Sequence, residues 1–308
     1  MLEKVTEHIH RLVVRYPFAM QETNCYLIKG ERGYTVVDTG AYSEESLGIW
    51  QKLLDTGITV EKVVLTHTHE DHLGLAKWFQ EEIGIPVYTT ELGYMEMKKR
   101  RATDAKAKVK QMIQQHGGPY INTNKRDDSF IYDFEPDGFF QKDGYIELGD
   151  ESYEVIWTPG HAPDHFCFYH RESKVMIAGD HILKEFSPVI GLWSGEESNA
   201  LHDYFQALEW IQAYPADIAL PGHGGLIENV QERVNEIHTS HKKRLEQVLS
   251  FVLEESKSVH EVTEEIYGSG QKLYVSQFMA TLTRFIYLES IGKVKREETA
   301  GIIKFRAL

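Results

Sequence analysis

Two cysteines in 308 residues are too few to staple a fold of this size. No disulfide framework is expected, and Cys25 and Cys167 read as small buried strand residues. Long apolar runs are missing as well. None approaches the roughly 20 residues that cross a bilayer, so no membrane partner is expected. The stretch Met1-Leu-Glu-Lys-Val-Thr-Glu-His-Ile-His10 carries acids where a secretory signal needs an unbroken apolar core, and a cytoplasmic protein is the expectation. There is no internal repeat, low-complexity tract or proline-rich linker. Basic charge is scarce: 33 Lys+Arg stand against 47 Asp+Glu, and the net charge of −14 argues against unspecific adhesion to nucleic acid.

What remains is ordinary globular composition, 42% hydrophobic and 26% charged, in a chain long enough for one large domain and a smaller appendage. One run stands out. Leu65-Thr-His-Thr-His-Glu-Asp-His-Leu-Gly74 packs His67, His69, Asp71 and His72 into six positions behind the strand-like Lys62–Leu65. Neutral imidazole is the commonest ligand for zinc and similar ions, and a carboxylate beside several of them lets one loop serve two cations. His67 and His69 alternate as in an extended segment, while Asp71 and His72 open a helix-like run to Glu82. Further polar residues follow short apolar runs: Tyr153–Trp157 leads into Thr158-Pro-Gly-His161, Lys174–Ile177 into Ala178-Gly-Asp180, and Asp217–Leu220 into Pro221-Gly-His223-Gly224.

Taken in order, H-x-H-x-D-H, G-H, G-D and G-H-G resemble the metallo-β-lactamase superfamily, in particular its glyoxalase-type hydrolases. The resemblance begins at Asn24-Cys-Tyr-Leu-Ile28 and Tyr34-Thr-Val-Val-Asp38-Thr-Gly40, and covers roughly Val5 to Leu226. It implies an α+β fold, the αββα sandwich, with His67, His69 and His161 holding one metal, Asp71, His72 and His223 a second, and Asp180 bridging them. Chemistry supports the bridge separately, because two neighbouring cations need an anion between them, and Asp180 is the acid offered by a Gly-Asp turn between the later histidine motifs. Asp71 is also read as the catalytic carboxylate. Asp38, in a D-T-G turn without partners of its own, reads as a carboxylate that orients a ligand histidine. A nitrogen and oxygen ligand set without thiolate suits two zinc ions per chain, and is compatible with iron or manganese.

Residues 1–230 are expected to form the catalytic domain, interrupted by a helical insertion at about 91–135. That insertion is locally basic, with Lys98, Lys99, Arg100 and Arg101, and passes through Gly117-Gly-Pro into a polar loop. It is either a lid whose cations meet an anionic substrate or an outer helix with a solvated face. Residues 231–308 form the appendage. Val230, Val234, Ile237, His241, Leu245, Val248 and Val252 recur at helical spacing. Ser258 can cap a helix over Val259–Ile266, Val275–Ile291 makes a third, and Lys293–Arg296 with Ile302–Arg306 suit a hairpin. This order is winged-helix topology, and the tail resembles the winged-helix appendage of β-lactamase-like endoribonucleases. Its third helix has Arg284 as its only basic residue, so sequence-specific DNA binding is not expected. Packing on the catalytic domain, or on a second subunit of a homo-oligomer, is expected instead.

The functional expectation is hydrolysis at a binuclear centre, in which the metals lower the pKa of a bridging water and its hydroxide attacks the substrate. No G-x-S-x-G frame proposes a side-chain nucleophile. A thioester or other small acyl ester is the favoured small-molecule substrate. Endoribonuclease or phosphodiesterase action on RNA is the alternative suggested by the tail and the basic insertion. A ligand-sensing, DNA-binding regulator is a reading of another class, opposed by the complete ligand set and the cation-poor third helix.

Overall fold

The computed structural model describes residues 2–18, 20–119, 128–268 and 274–308. Among these, the strands form three sheets. The first runs in chain order through β1 (Leu2–Lys4), β2 (Ile9–Arg15), β3 (Glu22–Lys29), β4 (Tyr34–Val37), β5 (Val60–Val64), β6 (Val87–Thr89) and β7 (Gly138–Phe139). It is antiparallel as far as β4 and parallel from there to β7. The second has the order β12-β11-β10-β9-β8, from β8 (Tyr145–Leu148), β9 (Glu151–Trp157), β10 (Phe166–His170), β11 (Val175–Gly179) and β12 (Ile218–Pro221).

Strand side chains alternate between faces, and both faces of these strands are apolar, so each sheet must be covered twice. Tyr26 and Ile28 of β3 meet Phe166 and Phe168 of β10 and Val175 and Ile177 of β11 in the core between the sheets. Cys25 and Leu27 point the other way, into a second core with Trp50 of α1 (Glu44–Leu54), Phe79 and Met97. On the far side, Cys167, Tyr169 and Met176 face Leu201, Tyr204 and Leu208 of α6 (Ala200–Ile211). Helix, sheet, sheet and helix layers follow from this alternation. Cys25 and Cys167 are buried and free, on opposite sides of the sandwich.

Two helices expected to be continuous are broken. In place of one run from Asp71 to Glu82 there is α2 (Glu70–Leu73), then α3 (Ala76–Trp78), then a wider turn over Phe79–Ile83. Gly74 marks the break: a Cβ there would lie 2.5 Å from Glu70 O and Tyr42 N, so the chain touches another backbone where an ideal helix would continue. Glu91–His116 likewise divides into α4 (Glu91–Arg101) and α5 (Ala105–Gln115). Met97 of α4 enters the core under the first sheet, whereas Met112 and Ile113 of α5 enter the core outside the second. One straight helix cannot serve both. The polar loop beyond Gly117-Gly-Pro lies largely outside the described residues.

The C-terminal part comprises α7 (Val230–Ser250), β13 (Lys257–Ser258), α8 (Val259–Tyr267), α9 (Tyr274–Ser290), β14 (Val294–Thr299) and β15 (Ile302–Ala307), with sheet order β13-β15-β14. Ser258 caps α8 in a capping box with Glu261. Val234, Ile237 and Leu245 of α7, Phe278, Leu282 and Phe285 of α9 and Phe305 of β15 belong to the same continuous apolar cluster as α6 and the outer face of the second sheet. Phe285 and Phe305 stack at 4.4 Å between ring centroids. No helix among the described residues is long and apolar enough to cross a membrane.

Candidate metal centre

The strand ends converge on one point. His67 and His69 follow β5, Asp71 and His72 lie in α2, His161 follows β9, Asp180 follows β11 and His223 follows β12. The structure brings all seven predicted ligand residues together, four from the first sheet and three from the second. His67, His69 and His161 form one group whose potential ligand atoms lie within 4.8 Å of one another, and Asp71, His72 and His223 form another. Asp180 stands between them. Its Oδ1 is 3.4 Å from His72 Nε2, and its Oδ2 is 3.4 Å from both His161 Nε2 and His223 Nε2.

The fit to cations is tested by what these atoms lack. Nε2 of His67, His69, His72, His161 and His223, together with Asp180 Oδ1, is buried and has no hydrogen-bond partner. Buried polar atoms are almost always paired. Six that make no hydrogen bond, with 3.4 Å contacts to Asp180 for His72, His161 and His223, suit divalent ions bound by nitrogen and oxygen.

The opposite ring edges are held. His72 Nδ1 donates to Asp38 Oδ2 at 2.8 Å, His161 Nδ1 to Val189 O at 2.8 Å and His223 Nδ1 to Glu22 O at 2.6 Å. Thr66 Oγ1 donates to Asp38 Oδ2 and lies 3.0 Å from His67 Nδ1, from which it can accept. Each contact leaves the Nε2 lone pair facing inward. Asp38 accepts a third bond from Thr66 N, and its φ of +61° lies in the left-handed region, which Asp and Asn tolerate better than most residues. Asn24 and Tyr26 of β3 donate to Pro221 O, and Asn24 also reaches Gly224 O, tying the His223 turn to the first sheet. Gly222 is required there: a Cβ would sit 2.5 Å from Asp180 Oδ1 and His72 Cε1.

Asp38→Asn keeps the backbone conformation but turns one acceptor into a donor against Thr66 or His72. Metal affinity is expected to fall about 10- to 100-fold with the fold retained, as read by competition with a chelator. Unchanged affinity would mean that Asp38 serves the turn alone.

Charge is unevenly distributed in the metal-free protein. Burial and the neighbouring imidazoles push His67 and His69 well below the ordinary histidine range, and burial also lowers His161. Burial acts the same way on His72 and His223, but is overcome: Asp180 and Asp38 raise His72 well above its usual value, and Asp180 with Asp71 raises His223 to about 10. These pairs therefore stabilise the metal-free fold at neutral pH and lose that contribution as pH rises through about 10 at His223. A cationic imidazole has no lone pair to give, so metal loading near pH 7 should release protons from both histidines and weaken as pH falls. Titration of zinc into metal-free protein in dilute buffer checks this, and loading without proton release would contradict it.

Sequence reasoning missed several contributors. Asp164 accepts from both Thr68 N and Thr68 Oγ1, fixing the turn between His67 and His69. His165 Nε2 accepts from Asp180 N at 2.9 Å while its Nδ1 meets Thr158 Oγ1. The pair follows His161 by only three and four residues, which was the available signal. In the basic insertion, Lys98 covers the Tyr94 ring, Lys99 pairs with Glu96 and Glu196, and Arg101 with Asp133 and Glu135. Arg100 alone turns inward, toward Tyr132, Asp164 and Glu96.

The chain belongs to the metallo-beta-lactamase superfamily, whose family model matches residues 21–241. It is 27% identical over 291 residues to the probable metallo-hydrolase YqjP of Bacillus subtilis, covering 90% of each chain. It is 25% identical over 325 residues to an atrochrysone carboxyl ACP thioesterase of Pseudocercospora fijiensis, covering 100% of this chain and 82% of the relative. Among solved structures, a metallo-beta-lactamase family protein from Thermus thermophilus superposes with a TM-score of 0.86 at 27% identity, covering 99% of this chain and 100% of the other.

Proposed function

We propose that this protein is a metallo-hydrolase that holds two divalent cations, zinc in the first instance, and cleaves a thioester or other small acyl ester. The observation that carries the reading is the set of buried, unpartnered Nε2 atoms arranged around Asp180. Cations held there supply Lewis acidity, acidifying water and stabilising the negative charge that develops on an attacked acyl oxygen. The chain's own residues do the positioning. Asp38, Glu22 O and Val189 O fix three imidazoles from behind, and Asp180 neutralises charge between the two groups. Asp71 is the most solvent-accessible of the seven carboxylate and imidazole side chains, at 18%, and its Oδ2 lies 3.3 Å from His223 Nε2. We read it as the catalytic carboxylate; burial is outweighed by His223 and His72, which hold it ionised. Similarity to a relative named as an ACP thioesterase supports the acyl substrate.

The order helix, strand, two helices and two strands supports a winged-helix reading of the tail, yet α9, which would then enter a DNA groove, is covered by α6 and α7, and its Arg284 is buried. That burial supports a packing role over sequence-specific DNA recognition. The deciding experiment is a screen of zinc-, iron- and manganese-loaded protein against a short acyl thioester, bis-p-nitrophenyl phosphate and a lactone. Metal-dependent thioester cleavage is expected. Cleavage of the diester with the thioester untouched would overturn the acyl reading in favour of a phosphodiesterase acting on RNA.

A further inference from the structure

Where α7 and α9 meet the segment 186–190, a cavity of about 380 Å3 opens. Phe186, Val189, Ile190, Leu201 and Ala280 give it an apolar wall. Its polar lining includes Arg284, Arg244 and His241 and, among the described residues, contains no Asp or Glu, in a chain whose net charge is −14. Arg284 is only 9% exposed, and its Nε and Nη1 have no hydrogen-bond partner. The groups acting on it among the described residues are the Tyr267 hydroxyl, which it meets, and the Arg244 charge, with no carboxylate among them. Buried guanidinium groups are ordinarily paired with an acid, because removing the charge from water is costly. Burial and Arg244 accordingly hold the Arg284 pKa below its ordinary value.

His241 repeats the pattern one helix away. It is 4% exposed, neither ring nitrogen has a partner, and burial followed by the Arg284 charge drives its pKa down to about 3. A neutral imidazole retains one N–H to donate. Arg244 is exposed and bonds Gln247 through Nη1. Two cations and a donor thus converge on a cavity with one apolar wall, and its lining among the described residues supplies no counter-charge. None of the seven metal-site residues lines it, although Val189, whose carbonyl holds His161, does.

We propose that this cavity is a binding site for an organic anion, a carboxylate or phosphate ester with an apolar body, whose charged end is received by Arg284 with Arg244 and His241 beside it. The anion supplies the missing counter-charge, and the apolar wall selects for the body attached to it.

The test uses full-length, metal-loaded protein with hexanoate, hexyl phosphate and neutral hexanol as probes in calorimetry and thermal melts. At least one of the anions is expected to bind saturably at one per chain and to raise the melting temperature, while hexanol does neither. Arg284→Met should weaken binding about ten- to a hundred-fold and melt no lower than the parent, since it removes an unpaired buried charge. Should that variant fail to fold, Arg244→Met, at an exposed position, should fold and still weaken binding several-fold. Absence of saturable binding by both anions overturns the proposal. So does unchanged affinity in Arg284→Met, or in Arg244→Met where Arg284→Met does not fold, which would place the anion at the metal centre. The anion's origin is then read from turnover. A bound probe that raises KM for a thioester without changing kcat marks the cavity as the seat of one end of the substrate, and a probe that leaves KM unchanged marks a separate ligand; either result supports the site.

Discussion

His67→Ala is expected to lose hydrolysis by on the order of a thousand-fold or more, because acidified water and the stabilising charge disappear with the metal. His67 is fully buried, lies within ligand distance of His69 and His161 and also of His72 and Asp180, and its ring centroid is 4.1 Å from that of His72 and 4.6 Å from that of His69. Three apolar cores remain untouched, so the circular dichroism spectrum should match that of the parent while elemental analysis shows depleted metal. Asp180→Asn, similar in shape but without the charge, should weaken retention of both ions together. A His67→Ala protein that keeps its metal and its turnover would remove the assignment.

Deleting residues 231–308 should be still more disruptive, turning the remainder into an aggregating species. Val234, Ile237, Phe278, Leu282 and Phe285 share one cluster with Leu201, Tyr204, Leu208 and Met176. Each large apolar side chain removed from that contact forfeits about 1.5–3 kcal/mol of burial, against a total stability of about 5–15 kcal/mol. Losing five or more therefore exhausts the margin, and the uncovered face of α6 becomes an adhesive patch. Size-exclusion chromatography and far-ultraviolet circular dichroism of the shortened chain test this. A monomeric, folded product would show that residues 1–230 complete a core alone.

The convergence of the seven candidate ligand residues was legible because they are rare residue types set at fixed offsets behind apolar runs. The sandwich was legible for a related reason, since strands buried on both faces read as near-continuous apolar segments. Two kinds of feature escaped. Glu22 O and Val189 O orient His223 and His161 through main-chain carbonyls, which every residue type possesses and which therefore leave no trace in composition. The breaks at Gly74 and at 102–104 escaped because Gly74 and Thr103-Asp104 are weak breakers that a single helix can absorb, and the decisive causes are tertiary: the approach of Tyr42 N to Gly74 and the separation of the cores that hold Met97 and Met112. Arg284 was counted correctly as the only cation of its helix, but periodicity alone could not say that it would be buried without an acid.

The segment before α6 has one further property. Val189 O accepts from His161, and the very next carbonyl, Ile190 O, accepts from Thr283 of α9. Both contacts use peptide groups, so the Val189 side chain, 39% exposed, can vary without touching either bond, whereas Ile190, 2% exposed, is held by the core around it. The spacing is not free. Inserting or deleting one residue here would shift which carbonyl faces which neighbour, leaving an imidazole misaimed and a threonine hydroxyl stranded. Position 189 should tolerate substitution readily, Ile190 only residues of similar shape, and the stretch changes of length hardly at all, the reverse of what is usual for a surface loop.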